Sequence, residues 1–562
     1  MLQVVGLDGS SLELCGPTTG LELRKRLREA FPLKKGAALA LYAGPERKSW
    51  DLILEPQLLS CVYLKADVHA AWRFLQGLAV PQEDIALEGV TQIEGLEFEE
   101  QLVDLPNTVE VLSFRRGYNQ SITVELPDSL QELTFGYHFN KPLGVTLPDQ
   151  LLTLRFGDHF NESLAALPRK LRSLTFGQHF NQRLDHLEMP SSLESLAFGF
   201  DFNQRLPAMP QLQHLVLGAS FDQALGLLPK LLSLTWPERV LQVADVPQVE
   251  HLVSIGWPGD GIASLPLQSL DTGTEQSPRL PDSLQELTLR CEARSLHLNL
   301  PAKLRSLSFK GGFSPKWDSI TLPSIEALTC SRNCGQLPPL PPSLERLEVG
   351  GLFNESLGMA WPPLRSLTLG FDFNHALTDA TLPSTLKSLT FGCRFDQPLV
   401  NLPTHLESLT LGFHFSQPLQ AVSWPCTLQH LTFGDLFNEP VDDIQWPKLL
   451  TLTFGNRFNQ DLGVLPSTLL SLTFGDSFNR RIETLPPTLE VLVLGHYFNK
   501  SLEKTELPET LHTITFGRAF DKVDEVRWPH SLSNLTLHGR VETAELPQGL
   551  RRLCSDGLTI CT

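Results

Sequence analysis

Leu465–Leu485, LPSTLLSLTFGDSFNRRIETL, decides the fold, because close copies of it run head to tail through most of the 562 residues. Counting each unit from its Leu-Pro, or from a Met-Pro, Val-Pro or Trp-Pro in the same slot, gives 23 units. Their prolines run from Pro106 through Pro127, Pro148 and Pro168 to Pro508, Pro529 and Pro547. A period of about 20 residues is that of leucine-rich repeats. Within the unit, Leu472 and Phe474 fall on one face of an extended segment and Ser471 and Thr473 on the other, the period-two pattern of a half-buried strand. One strand per unit, restarting in the same direction, forces parallel pairing between neighbours. At about 4.8 Å per strand, some 20 strands in an open array would extend roughly 100 Å.

The rest of the unit follows from the same reasoning. Gly475 ends the strand at a bend too tight for a side chain, and Phe478 returns to the core. Asn479 comes next, and its amide both donates and accepts. Stacked copies at Asn140, Asn161, Asn181, Asn203, Asn354, Asn374, Asn438, Asn459, Asn479 and Asn499 are expected to form a hydrogen-bonded ladder, with Asp222, Asp396 and Asp521 substituting. The six residues Arg480 to Leu485 are too few for a helix, so the outer wall is expected to be extended or 3₁₀. Asn161-Glu-Ser163 and Asn354-Glu-Ser356 match a glycosylation pattern, but their Asn is the ladder residue.

These residues resemble the FNIP-type leucine-rich repeats, whose unit reads much like LPxSLxxLTFGxxFNQxL. The resemblance spans roughly 96–562 and implies a binding or scaffold array without catalytic residues of its own. The unit also looks like the LPX-type repeats of bacterial secreted ubiquitin ligases, which lack the second aromatic-Asn pair.

Hydrophobic content of 41% with 19% charged residues excludes disorder, and 32 Phe against 5 Tyr reflects two Phe slots per unit. The net charge of −18 disfavours nucleic acid and anionic membrane surfaces and favours a basic protein partner. Nine scattered cysteines lack disulfide-framework spacing, which points to a reducing cytoplasmic or nuclear compartment. The start, MLQVVGLDGSSLEL, has neither a basic nor an apolar leader region, and no window approaches a membrane span.

Residues 1–66 do not carry the repeat. Two strand-like stretches flank Asp8-Gly9, a hairpin turn. A helix is expected from the capping box Thr19 and Glu22 to Pro32. Strands at Ala38–Gly44 and Leu59–Leu64 follow. The segment is similar to ubiquitin in this order, in DGSSLEL and in its Leu-Tyr-Ala-Gly strand end. The fold class expected for the whole chain is therefore mainly β: a solenoid with a helix-poor convex side, preceded by a small α+β, β-grasp domain. No Gly-Gly follows Leu64, so the resemblance implies a docking module for a ubiquitin receptor or proteasome subunit around Leu41, Tyr42 and Tyr63, not a conjugated tag. The competing reading is a plain α+β cap.

Residues 67–104 read as a linker and acidic N-terminal cap, and 105–562 as the solenoid, with a short C-terminal edge after Pro547. Between 236 and 350 the Gly-x-x-Phe-Asn half of the unit is mostly lost, and Trp257 and Trp317 fall off the pattern. Local rules break where function or strain lies, so this zone is a candidate partner surface, set against neutral decay of the repeats. The other candidate is the hydroxylated concave strand face, including Ser388, Thr390, Ser408, Thr410, Thr451, Thr453, Ser471 and Thr473. No catalytic residue, metal or cofactor is expected. Cys330-Ser-Arg-Asn-Cys334 has no matching second pair for zinc, and the row His138, His159, His179 reads as solvated. The expected role is a non-enzymatic protein-interaction scaffold linking a cargo to ubiquitin or proteasome machinery. The alternatives are a structural array without a partner, an enzyme with an unrecognised site in the irregular zone, and a Thr-array ice-binding solenoid.

Overall fold

A computed structural model describes residues 2–6, 11–14, 37–43, 46–47, 59–65, 90–96, 105, 107–122, 125–273, 278–290, 298–310, 320–330, 337–357, 360–378, 382–537, 550–555 and 558–561. The expected helix at 19–32, most of the acidic run before 105, Trp317 and Cys334 lie outside them.

The first 65 residues contribute β1 (Leu2–Gly6), β2 (Ser11–Leu14), β3 (Ala37–Ala43), β4 (Glu46–Arg47) and β5 (Leu59–Lys65). They pair in the order β2-β1-β5-β3-β4, with β1 and β5 parallel and the other neighbours antiparallel.

The repeats form a second sheet. It begins with β6 (Gln92–Leu96), continues as one strand per unit from β7 (Val111–Phe114) to β28 (Asn534–Leu537), and ends with β29 (Arg552–Ser555) and β30 (Leu558–Cys561). In Ser471–Thr473 the central Leu472 is fully buried while both flanking hydroxyl residues are half-buried, and the same burial pattern recurs from unit to unit. Beneath most regular strands lie two phenylalanines, with Leu217, Leu369, Leu411 and Leu494 taking the nearer slot in others. Phe474 packs on Phe478 with ring centroids 3.8 Å apart; Phe474 stacks on Phe454 of the preceding unit, and Phe478 on Phe458 and Phe498 to either side. The described return segments form no α-helix: they are extended or make single turns, as at Leu184–Leu187 and Leu419–Val422, with 3₁₀ turns at Val243–Asp245, Asp260–Ser264 and Val523–Glu525.

The open array expected from the sequence does not occur. The β29–β30 hairpin turns the chain back, and β30 pairs antiparallel with β6, so the cap and the edge are joined and the sheet closes. The central apolar row returns to its own level. Leu535 pairs with Leu553, Leu553 with Ile560, Ile560 with Ile93, and Ile93 with Leu112. The strands therefore close a flat ring with no net stagger, leaving no free sheet edge.

The cause is the wedge shape of the unit. Backbone pairing holds strands about 4.8 Å apart. The phenylalanines nearest the strands stack at 5.2 to 5.6 Å, and the deeper row at 5.9 to 6.3 Å. Spacing that grows away from the sheet bends the array with its strands on the inside. The 25 strands described in the ring then have a circumference of about 120 Å and a radius of about 19 Å. A spacing of 6.1 Å corresponds to a radius about 5 Å larger, a reasonable depth for the second aromatic row.

Two side-chain ladders fasten the units. The Asn ladder has the Asn amide oxygen of one unit accepting the backbone N–H of the equivalent residue in the next: Asn119 to Asn140 at 2.9 Å, Asn438 to Asn459 at 2.8 Å, Asn459 to Asn479 at 3.0 Å. Asp396 takes the same role toward Ser416 at 3.0 Å. The other ladder was not anticipated. The hydroxyl of the Ser or Thr two residues after the unit's proline donates to a backbone carbonyl of the preceding unit: Thr468 to Leu449 and Ser129 to Val109 at 2.7 Å, Thr488 to Leu469 at 2.8 Å.

Candidate interaction surfaces: the bore and its rims

Because the strands lie inside, the residues flanking each central leucine line a bore. From Ser366 and Thr368 to Thr513 and Thr515, eight successive strands present sixteen such positions, all uncharged, and all but His430, Val491 and Val493 are Ser or Thr. The candidates Ser388, Thr390, Ser408, Thr410, Thr451, Thr453, Ser471 and Thr473 all belong here, half-buried and in register. Ser388 pairs with Ser408, Thr390 with Thr410, Thr451 with Ser471 and Thr453 with Thr473.

Across the ring the lining is charged but balanced. Asp271 is held by Arg290 at 2.7 Å and Lys310 at 3.7 Å, one cation from each of the next two strands. Among the described residues around the bore, the strand positions facing away from the core carry five basic residues (Arg155, Arg290, Lys310, Arg346, Arg552) and four acidic ones (Glu132, Asp271, Glu286, Glu348). The chain's acidic excess of −18 therefore lies elsewhere.

The sequence-derived candidates do not form one site. Trp257 is half-buried against the core, and its indole N–H donates to Asp260 at 3.2 Å. Around it the aromatic stack gives way to two buried polar residues paired across adjacent strands, Ser254 and Thr272. Thr272 donates to the Gly256 carbonyl at 2.8 Å. The irregular zone thus repacks the core and remains in register with the ring. Leu41 and Tyr42 are consecutive in β3. Tyr63 pairs with Leu39, two residues from Leu41.

Each regular unit also presents two residues between its Gly and its deep Phe, at one rim. The N–H of the second residue donates to the carbonyl of the first in the preceding unit, as in Arg394 to Phe371 at 2.9 Å and His414 to Cys393 at 2.8 Å. This rim was not singled out from the sequence, although its aromatic content was visible there. Phe200, Leu352, Phe371, Phe413 and Tyr497 stand on it more than two-fifths exposed. His138, His159 and His179 also lie along it, with ring centroids 4.9 and 5.4 Å apart, and His179 is hydrogen-bonded to Asp201 at 2.8 Å. Among the described residues no three His, Cys, Asp or Glu side chains could hold a metal ion, and no helix is long and apolar enough to cross a membrane.

The FNIP Repeat family model matches residues 118–159, 139–179, 160–201, 373–414, 458–497 and 478–519. No curated protein matches the chain. Among solved structures, the chain is similar to CroV588, a circular LRR protein, at 28% identity over 84% of this chain and 77% of that one, with a TM-score of 0.44. YopM from Yersinia enterocolitica matches at 21% identity over 83% and 90%, with a TM-score of 0.28. A leucine-rich repeat protein from Bacteroides ovatus matches at 13% identity over 80% and 79%, with a TM-score of 0.12. The chain therefore carries FNIP repeats in its regular sectors, built into a parallel leucine-rich solenoid.

Proposed function

We propose that the protein is a non-enzymatic interaction scaffold whose binding face is the bore. The observation that carries this reading is a closed ring with a neutral, hydroxyl-rich lining in a chain of strongly acidic net charge. Allowing for side chains, a backbone radius of about 19 Å leaves a passage roughly 30 Å wide. An α-helix is about 10 to 12 Å across, so a helix or helical hairpin passes. A 100-residue globule, with a radius of gyration of about 13 Å, does not. The partner is thus a slender, polar, uncharged polypeptide segment. The basic partner suggested by net charge would meet the acidic exterior instead. Nucleic acid is disfavoured, because a balanced lining neutralises no phosphates.

The ring's curvature argues against the ice-binding alternative. Neighbouring strands turn by about 14°, so the Thr rows curve through more than 100° over eight strands and match no flat lattice plane.

The test is proximity labelling in cells with the intact chain and with Thr453→Arg/Thr473→Arg. Both residues line the bore, so the double variant should lose the reproducible partners by at least tenfold while keeping its melting temperature. Retention of the same partners by the folded variant would overturn the bore as the binding face.

For the first 65 residues, the reading as a ubiquitin-like docking module is supported by the parallel central pair β1–β5 flanked by antiparallel partners, β2 on β1 and β3 on β5. Its test is titration of the full chain with a ubiquitin receptor, observed by NMR through methyl labels at Leu41 and Leu39. Absence of any shift would reduce the segment to a cap.

A further inference from the structure

We propose that two copies of the ring stack face to face through the rim that carries the exposed aromatics, about a two-fold axis passing beside Cys393. The proposal stands on how apolar residues are distributed around that rim. One arc runs through five consecutive units, Leu352, Phe371, Cys393 with Arg394, Phe413 and Leu436. Leu352, Phe371 and Phe413 are 56%, 52% and 42% exposed. Arg394 lies over the Phe371 ring at 5.7 Å from its centroid and pairs with Asp372 at 3.2 Å, so the local charge is already compensated. A second arc runs through four units, Tyr137 with His138, His159, His179 and Phe200, the last 55% exposed. The interunit backbone bonds at these positions hold both arcs on a rigid platform.

The placement of the arcs selects a second copy as the occupant. Counted around the 25 strands, their centres lie roughly 165° apart, so one axis in the ring plane passes through the first and within about one unit of the second. Rotation about that axis sets the first arc on its own equivalent and, because the centre of the second lies one unit off the axis, superposes the Tyr137 and His159 units of the second on each other. Phe371 then meets Phe413 of the second copy, Leu352 meets Leu436, and Cys393, at the middle of the first arc, meets Cys393. This is the reciprocal pattern of an isologous interface.

Charge permits the contact. In the two slots before the deep aromatic, the regular units hold four arginines (Arg116, Arg394, Arg457, Arg518) against five aspartates (Asp158, Asp201, Asp372, Asp435, Asp476). The rim is therefore almost neutral in a chain of net charge −18, and like faces approach there without the repulsion that the rest of the surface imposes. The first arc presents about 30 Å by 10 Å and the superposed half of the second about half as much, so the two copies bury roughly 900 Å², the size of a weak, reversible contact. Stacking leaves the bore open and doubles its length.

Sedimentation velocity of the full chain over a wide concentration range is expected to show a monomer–dimer equilibrium. Phe371→Glu/Phe413→Glu should weaken it at least tenfold with an unchanged thermal melt, since both side chains are exposed. Val464→Glu, at an exposed site on a return segment, should leave it intact. A short bismaleimide should yield a covalent dimer that disappears in Cys393→Ser and persists in Cys426→Ser. A wild type that stays monomeric, a glutamate variant that still dimerises, or a cross-link that survives Cys393→Ser would each overturn the proposal.

Discussion

Replacing Gly475 by alanine would test what sets the spacing of the units. Gly475 has an ordinary negative φ, so its need for glycine is not conformational; it is proximity. A methyl group there would sit 2.5 Å from both the Asn456 Cα and the Gly455 carbonyl carbon, and closer still to the Gly455 oxygen. Those atoms are backbone and cannot rotate away. Relief requires widening the joint between two units by close to 1 Å. The joint is fixed by Phe454 N–H donating to the Thr473 carbonyl at 2.9 Å and by the Asn459–Asn479 bond at 3.0 Å. Overpacking costs about 1 to 3 kcal/mol, and each backbone group orphaned by the widening adds about 1 to 3 kcal/mol, so a loss of about 3 to 5 kcal/mol is expected. Gly226 is the control. It has φ +74° and nothing within 4 Å of an added methyl, so Gly226→Ala should cost only the left-handed strain of about 1 to 2 kcal/mol. Because repeat arrays unfold unit by unit, the assay is native-state hydrogen exchange read at Leu452 and Leu472 for Gly475→Ala, and at Leu215 and Leu234 for the control. A local loss at Gly475 no larger than at Gly226 would refute close contact as the reason for the glycine column.

Asn459→Leu removes the acceptor of the Asn479 N–H at a half-buried site and should cost about 1 kcal/mol, more than Thr473→Val in the bore; urea melts that rank the two the other way would discredit the ladder. Tyr118 is buried, which pushes its phenol up to about 12 from 10.0. The folded state then holds a proton that the unfolded state has released, so stability falls as pH rises from about 10 through 12. Tyr118→Phe should flatten that fall in melts recorded across the window. The seam is testable with one substitution. Gln92 pairs directly with Cys561 across β6 and β30, and antiparallel partners lie about 4.5 to 5.5 Å apart at Cα, within disulfide range. Gln92→Cys should therefore oxidise to an intramolecular bond, seen as a faster band on non-reducing gels; free thiols under oxidising conditions would place the ring's ends apart.

Much of this architecture was legible because each local rule repeats. A single Ser-Leu-Thr-Phe is weak evidence for a strand, but its recurrence at the same spacing leaves one register in which every leucine is buried. The Asn ladder was legible for the same reason, since an amide at a fixed place in every bend must meet its own copy. Closure was not legible. It depends on spacings that differ by little more than an ångström between the strand and the second aromatic row, a quantity set by how Phe474 and Phe478 pack and written in no single residue. The Ser and Thr hydroxyl ladder was missed because Thr468 and Ser129 sit beside proline, where a hydroxyl reads equally well as turn chemistry. The rim was missed because Phe371 and Phe413 occupy slots that hold Asp158, Gln178 or Asn456 elsewhere, so averaging over the units hides them.

Closure also constrains the irregular zone. A ring of 25 strands tolerates a unit whose core differs only if that unit keeps the wedge. Between Trp236 and Leu289 the strand-proximal aromatic slot holds Ser254 and Thr272, which are far smaller than Phe. Such units would narrow at depth if nothing compensated. The chain supplies bulk by another route. Ile262 is fully buried from the 3₁₀ turn Asp260–Ser264, and Trp257 packs against the same core from the segment before it. That turn meets the preceding one, Val243–Asp245, and Leu241 N–H donates to the Pro258 carbonyl at 2.9 Å between them. Here the outer wall does the spacing that stacked phenylalanines do elsewhere. The loss of Gly-x-x-Phe-Asn and the appearance of Trp257 are then two sides of one substitution, which keeps the ends of the array aimed at each other so that β30 reaches β6.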